Sequence, residues 1–118
     1  MANPNIVNVT TIYGNTAALV VTQVTQNVVS NPSSSGYIYK INLLSVSNYS
    51  TNNYTVTAEL NIGGSNTYIA RGIVVPANSS LSIIGKDTSI YLLENSSIQL
   101  SSTSNVAHQA ICSWEQIS

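Results

Sequence analysis

Between Tyr54 and Ile62 apolar and polar residues alternate without a break. Tyr54, Val56, Ala58, Leu60 and Ile62 fall on one side, and Thr55, Thr57, Glu59 and Asn61 on the other. A period of two residues is that of a β-strand with one face on a core and the other in water. Gly63-Gly64 comes next, and two glycines supply the positive φ angles of a tight hairpin. Thr67 to Val75 is therefore predicted as the returning strand. Pro76-Ala77-Asn78 ends it, because proline has no N–H to give to a ladder.

The same reading extends over the rest of the chain. Ile6 to Ile12 is predicted as a strand, after an extended arm that includes Asn3, Pro4 and Asn5. Gly14-Asn15 reads as a turn. Ala17 to Val29 reads as a second extended segment, broken near Thr25-Gln26-Asn27. Asn31-Pro32-Ser33-Ser34-Ser35-Gly36 is the clearest loop, being built almost wholly of turn-forming residues. Tyr37 to Asn48 follows as a long strand. Strict alternation puts Tyr37, Tyr39, Ile41 and Leu43 on one face, and Ile38, Lys40, Asn42, Leu44 and Val46 on the other. A turn at 50–53 leads into the Tyr54 strand. Short strands are then predicted at Leu81 to Ile84, Ser89 to Leu93 and Ile98 to Leu100, and a longer one from Val106 to Ile117.

Eight or nine antiparallel strands with regularly spaced turns, and no sustained helical period, predict an all-β chain with a single β-sandwich over 6–118 and an arm at 1–5. The strand count fits a jelly roll and also an immunoglobulin-like sandwich. The paired cysteines of antibody domains are absent, and the jelly-roll-like form is the expectation adopted.

Composition narrows the function. Of the 118 residues, 43% are hydrophobic, enough for a core, while only 6% are charged and the net charge is −1. An average soluble protein carries about a quarter charged residues. The polar surface must therefore come from Ser, Thr and Asn, which make up about 38% of the chain. Lys40, Arg71 and Lys86 are the only full cations, too few to neutralise a run of phosphates, so no nucleic-acid partner is expected. No apolar stretch approaches the roughly 18 residues of a membrane helix, so no membrane partner is expected either. Met1 to Asn5 has neither the basic start nor the apolar run of a secretory signal. The sequons at Asn8, Asn48, Asn53, Asn78 and Asn95 are accordingly read as unglycosylated, and the single Cys112 fits synthesis in a reducing compartment.

Candidate chemistry is sparse. His108, the one histidine, shares a predicted strand face with Val106, Ala110, Cys112 and Trp114. Cys112 lies four residues on, about 13 Å away at strand rise, so the two cannot form a catalytic pair on a regular strand. A packed or interface histidine is the expectation. Glu59, Asp87, Glu94 and Glu115 show no local pairing for glycoside chemistry. Asp87 and Glu94 would approach each other only if their strands formed a hairpin, and a calcium site needs more oxygens than these. One His and one Cys are too few for zinc. Gly63-Gly64 lacks the lysine and the following helix of a phosphate loop. No metal, cofactor or enzymatic activity is expected. Tyr37, Tyr39, Tyr49 and Tyr54 gather in sequence around one loop. They are candidate interface residues together with Asn3, Pro4 and Asn5, although tyrosine also stands in as the core aromatic where Phe is absent.

Several phrases carry a resemblance. They are Met1-Ala2-Asn3-Pro4-Asn5-Ile6-Val7-Asn8-Val9-Thr10; Val29-Ser30-Asn31-Pro32 with Gly36 and Tyr39-Lys40-Ile41-Asn42; Gly85-Lys86-Asp87-Thr88-Ser89-Ile90-Tyr91-Leu92; and Ser113-Trp114-Glu115-Gln116-Ile117-Ser118. In these the chain resembles small virion structural proteins of tailed bacteriophages, of the marine cyanobacterial phage type. That group commonly has Tyr near the place of Trp114. The resemblance implies a non-enzymatic β-sandwich of the virion, made in the cytoplasm of the bacterial host. The leading expectation is a capsid decoration or cement protein on the major capsid lattice, itself a homo-oligomer with the trimer favoured. A neck, tail or fibre-associated protein is the alternative. A carbohydrate-binding module is the alternative of another class.

Overall fold

The computed structural model describes residues 11–118, with Lys86 described by its backbone alone. Nine strands form among these residues: β1 (Ile12–Val21), β2 (Gln26–Asn31), β3 (Ile38–Asn48), β4 (Tyr54–Ile62), β5 (Ser65–Val75), β6 (Ser80–Ile84), β7 (Ile90–Leu92), β8 (Ser96–Ser102) and β9 (His108–Ile117). One sheet has the order β1-β9-β3-β6, with β7 also on β3, and the other has the order β2-β8-β4-β5. Every pairing is antiparallel. β6 pairs with residues 44–47 of β3 and β7 with residues 39–41, so the two are halves of one edge strand. A single 3-10 turn, Lys86–Thr88, interrupts that edge. Counted as one strand, β6 and β7 complete two four-stranded sheets in the order of a jelly roll.

The core lies between the sheets. β3 supplies Ile41, Leu44 and Val46, β4 supplies Val56 and Ala58, β8 supplies Ile98 and Leu100, and β9 supplies Ala110 and Cys112, all without solvent exposure. Burying each large aliphatic side chain contributes about 1.5–3 kcal/mol. Tyr39 and Trp114 stack inside the same sandwich at 5.8 Å between ring centroids, one of the aromatic contacts made here without any phenylalanine.

β4 follows its predicted bounds, and its alternation holds at Val56 and Ala58, which are fully buried, but Ile62 of the predicted core face is 54% exposed; Gly63 and Gly64 turn the strand into β5 with φ angles of 58° and 94°. The β3 alternation differs. Tyr39 and Ile41 are buried, and so are Leu44, Val46 and Asn48, although strict alternation separates the two groups. Asn42 is the reason. The β3–β9 register steps from Ile41 opposite Trp114 to Leu43 opposite Ser113, leaving Asn42 as an extra residue. Such a bulge reverses the phase of every later side chain.

Gly14-Asn15 makes no turn either. Gly14 pairs with Glu115 and Asn15 with Trp114 in an unbroken β1. Ladder pairing to a ten-residue partner strand outweighs the weak turn preference of one Gly-Asn step. The break between β1 and β2 falls at 22–25, and Gln26 and Asn27 belong to β2. The last strand begins at His108 rather than Val106, which is 70% exposed in the preceding loop. Asn3, Pro4 and Asn5 lie outside the described residues, as do Ile6 to Thr10 of the first predicted strand. Thr11 exchanges backbone hydrogen bonds with Ser118 at 3.2 and 3.0 Å, so the described chain enters the sandwich beside its last residue.

Candidate functional site

His108 begins β9 with its side chain turned into the sandwich and fully buried. Its Nδ1 is 2.6 Å from Ser102 Oγ, an oxygen that also accepts the backbone N–H of Ser104 at 3.1 Å. Tyr54 meets the imidazole edge-on at 6.5 Å. Nε2 is buried with no hydrogen-bond partner. Burial favours the neutral ring and pushes its pKa below the usual histidine value. A general base must reach its substrate; this imidazole is fully buried, beside a hydroxyl that is itself only half-buried. Cys112 lies two turns of the pleat further along the same inward face, and burial raises its thiol to about 12. Among the described residues no three of His, Cys, Asp and Glu gather where a metal could sit. Glu94 Oε2 accepts the Gly36 N–H at 2.6 Å, which pins the 32–37 loop, and Asp87 stands exposed in the turn between β6 and β7.

The surface is more informative. The loops at 22–25, 49–53, 76–79 and 103–107 meet at one end of the sandwich. Gln23 N donates to Asn105 Oδ1 at 2.8 Å and Gln23 Nε2 to Thr103 O at 3.1 Å. Tyr49 N donates to Ala107 O, and Asn78 N to Ser50 O. Buried Asn48 ties the base of this end together. Its Nδ2 donates to Val75 O at 2.8 Å and to Asn52 O at 2.9 Å, and its Oδ1 accepts the Ser50 N–H at 2.9 Å. These four loops contain no Asp, Glu, Lys, Arg or His. Their most prominent apolar groups are Val24 and Val106, each 70% exposed, and Tyr49, 50% exposed.

The opposite end differs. There Gly36 N meets Glu94 and Gly63 N donates to Asn95 O, so loops 32–37, 63–64 and 93–95 converge around a carboxylate. Lys40 and Glu115 pair on β3 and β9 toward the same end. Beside the uncharged end, the outer face of the β1-β9-β3-β6 sheet holds a shallow groove of about 270 Å³ whose lining includes Ala18, Val20, Ser47, Gln109 and Ile111, none of them charged.

The four tyrosines that cluster in sequence do not cluster in space. Tyr37 and Tyr39 stand at the start of β3, and Tyr49 and Tyr54 flank the loop beyond its end. The eleven residues of β3 separate them by roughly 30 Å at strand rise. Tyr39 is buried on Trp114, and burial, followed by the neighbouring Tyr37, raises its phenol pKa. Tyr37 and Tyr54 are half-buried, and of the four only Tyr49 is openly exposed. The exposed valines of the uncharged end carry no signal in the sequence: Val24 and Val106 look like strand residues until the strand ends are known.

No protein-family model matches the chain, and no curated protein sequence matches it.

Proposed function

We propose that this chain is a structural component of a bacteriophage virion, a decoration or cement protein that binds the major capsid lattice. The observation that carries this reading is the distribution of charge. One whole end of the sandwich and the groove that adjoins it on one outer sheet face hold no ionic group. Packing such surfaces against neighbours buries no charge, so assembly avoids the several kcal/mol that desolvating each ion costs. A weakly charged surface likewise gives little repulsion between copies, which suits a homo-oligomer, the trimer being the form proposed. Jelly rolls are a common architecture of capsid proteins, and the fold supports the reading to that extent by analogy. The chain would be made in the host cytoplasm and reside in the virion. The deciding experiment is quantitative gel staining of purified particles. Hundreds of copies per particle fit decoration of a lattice. Tens or fewer move the proposal to a neck, tail or fibre position.

A second reading, a carbohydrate-binding module, draws on one hollow. Tyr49, Asn78 and Ser80 border a shallow polar depression floored by Asn48. The Tyr49 ring offers a face to a sugar, and the side chains of Asn78 and Ser80 offer neutral hydrogen-bonding groups. A glycan array on which wild-type protein gives no signal removes this reading.

A further inference from the structure

Thr11 and Ser118 exchange two backbone hydrogen bonds, so they form a doubly bonded pair at the mouth of the β1–β9 ladder. In an antiparallel ladder such pairs alternate with unbonded ones. The register runs unbroken from Ile12 opposite Ile117 to Val21 opposite His108. Counting from Thr11, the odd-numbered residues of β1 bond to β9. Ile12, Gly14, Thr16, Ala18 and Val20 therefore turn both N–H and C=O away from it. β1 is the outer strand of its sheet, so these groups line an open edge with no strand beside them among the described residues. A row of unpaired donors and acceptors is a template for another strand.

Proteins commonly blunt such edges with charge, proline, bulges or brevity. The other three edges of this sandwich are blunted. β2 has six residues, a register shift between Asn27 and Val29, and Pro32 just after it. β5 carries Arg71, Gly72 at a φ of 58°, and two register shifts against β4. The β6–β7 edge is split by the turn at Lys86–Thr88. β1 has ten residues, with no proline, no charged side chain and no register shift. It also leaves Ile12, Tyr13 and Val20 exposed.

The strand that fits this edge is β1 itself. Two copies related by a two-fold axis at Thr16 pair antiparallel, with Ile12 opposite Val20, Gly14 opposite Ala18, and Thr16 opposite its own counterpart. Each of these residues has its N–H and C=O free, so each pair exchanges two bonds, about ten in all. The side chains match as well. Ile12 of one copy lies beside Val20 of the other, at the rim of the 270 Å³ groove, and Tyr13 lies beside Leu19 on the opposite face. No charge meets a like charge, because β1 has none. We propose that this chain self-associates in pairs by antiparallel addition of β1 to β1 of a second copy, joining two sheets into one continuous sheet. The proposal stands apart from the virion reading. A trimer built through other surfaces would be joined by β1 to a second trimer.

The test uses the full chain and two measurements. The first is sedimentation equilibrium at micromolar to millimolar concentration. Wild type is expected at the mass of two chains, or of six if trimers also form. Thr16→Pro removes the N–H at the axis from both copies and takes nothing from the β1–β9 ladder, because that N–H points away from β9. It should halve the mass and weaken pairing at least about tenfold. A melting temperature within a few degrees of wild type separates lost pairing from lost folding. The second measurement decides alone should that variant unfold. It is oxidation of Thr16→Cys, read on a non-reducing gel. Doubly bonded antiparallel pairs hold their Cα atoms about 5.5 Å apart, within reach of a disulfide, and buried Cys112 stays out of the reaction. Thr16→Cys should give a linked dimer, and Thr67→Cys, also exposed but on the β5 edge, should not. Wild type at the mass of one chain or three, an unchanged mass in folded Thr16→Pro, or linkage from position 67 and not from 16 overturns the pairing and leaves the virion reading standing. Absence of the chain from particles overturns the virion reading and leaves the pairing standing.

Discussion

Half-buried Ser102 holds its Oγ 2.6 Å from Nδ1 of the fully buried His108, while His108 Nε2 faces no acceptor. The pair holds β8 to the start of β9, next to Tyr54, and so fixes the base of the uncharged loop end. Whichever atom carries the shared proton, a charged imidazole would need a second acceptor at Nε2, and none is present among the described residues.

Stability should therefore depend on pH through His108. Its folded pKa is lowered by burial, whereas the unfolded chain protonates near 6.5. Below about pH 6.5 the unfolded state binds the proton more readily than the folded one, so stability falls as pH falls. Above 6.5 both states are neutral and the contribution is complete. The loss attributable to this ring can reach at most about 1.4 kcal/mol per pH unit. Melting curves from pH 7.5 down to 5.0 should decline in wild type. His108→Gln should melt lower at pH 7.5 and decline less steeply below pH 6.5. An equal slope in the two proteins would disprove the assignment.

Asn48 is predicted to be the most costly polar residue to remove at this end. Truncation to Ala leaves Val75 O, Asn52 O and the Ser50 N–H without their partner, at about 1–3 kcal/mol for each buried group that stays unpaired. Asn48→Ala should lose about 3 kcal/mol in urea unfolding. Tyr49→Ala, half-exposed next to it, should lose less than half of that. Similar values for both would mean that the Asn48 network adds nothing to stability.

The Asn42 bulge explains how one strand buries residues of both phases, and it can be tested by deletion. Removing Asn42 forces either Tyr39 and Ile41 or Leu44 and Val46 out of the core, so the deleted chain should fail to unfold cooperatively. Asn42→Ala keeps the residue count and loses only the 3.2 Å bond from Nδ2 to Glu115 Oε1, at a cost of about 1 kcal/mol or less. A deletion variant that melts like wild type would mean the register is not set here.

Cys112 should be inert in the folded protein. At pH 8 a thiol held at about 12 is ionised in about one molecule in ten thousand, and it is also shielded from reagent. A chromogenic disulfide reagent should react with one thiol per chain in guanidinium and with essentially none in buffer. Rapid reaction of the native protein would show that the β9 end of the core opens.

The sequence makes some of this legible and hides the rest, for identifiable reasons. The bounds of β4 and its buried middle, Val56 and Ala58, are readable, because apolar and polar residues alternate along it and Gly63-Gly64 marks its end, although Ile62 beside that turn is exposed. The jelly-roll order is within reach only as a strand count. β9 between β1 and β3 joins residues about a hundred positions apart, and no local pattern encodes that pairing. β3 misleads, because the single extra residue Asn42 inverts its phase without altering its composition. β1 misleads, because Gly14-Asn15 has the form of a turn but is held by Glu115 and Trp114 across the ladder. The poverty of reactive groups is legible from composition alone. The site is not: Val24 and Val106 come together only because loops far apart in sequence share one end, and the tyrosines that look clustered are divided by the length of β3.

The most direct test of the central claim is an electron cryomicroscopy map of the intact particle, at a resolution that traces individual strands. The expected map shows this jelly roll repeated across the shell at lattice positions. A particle map with every density assigned to other chains, and no place for this one, would contradict it.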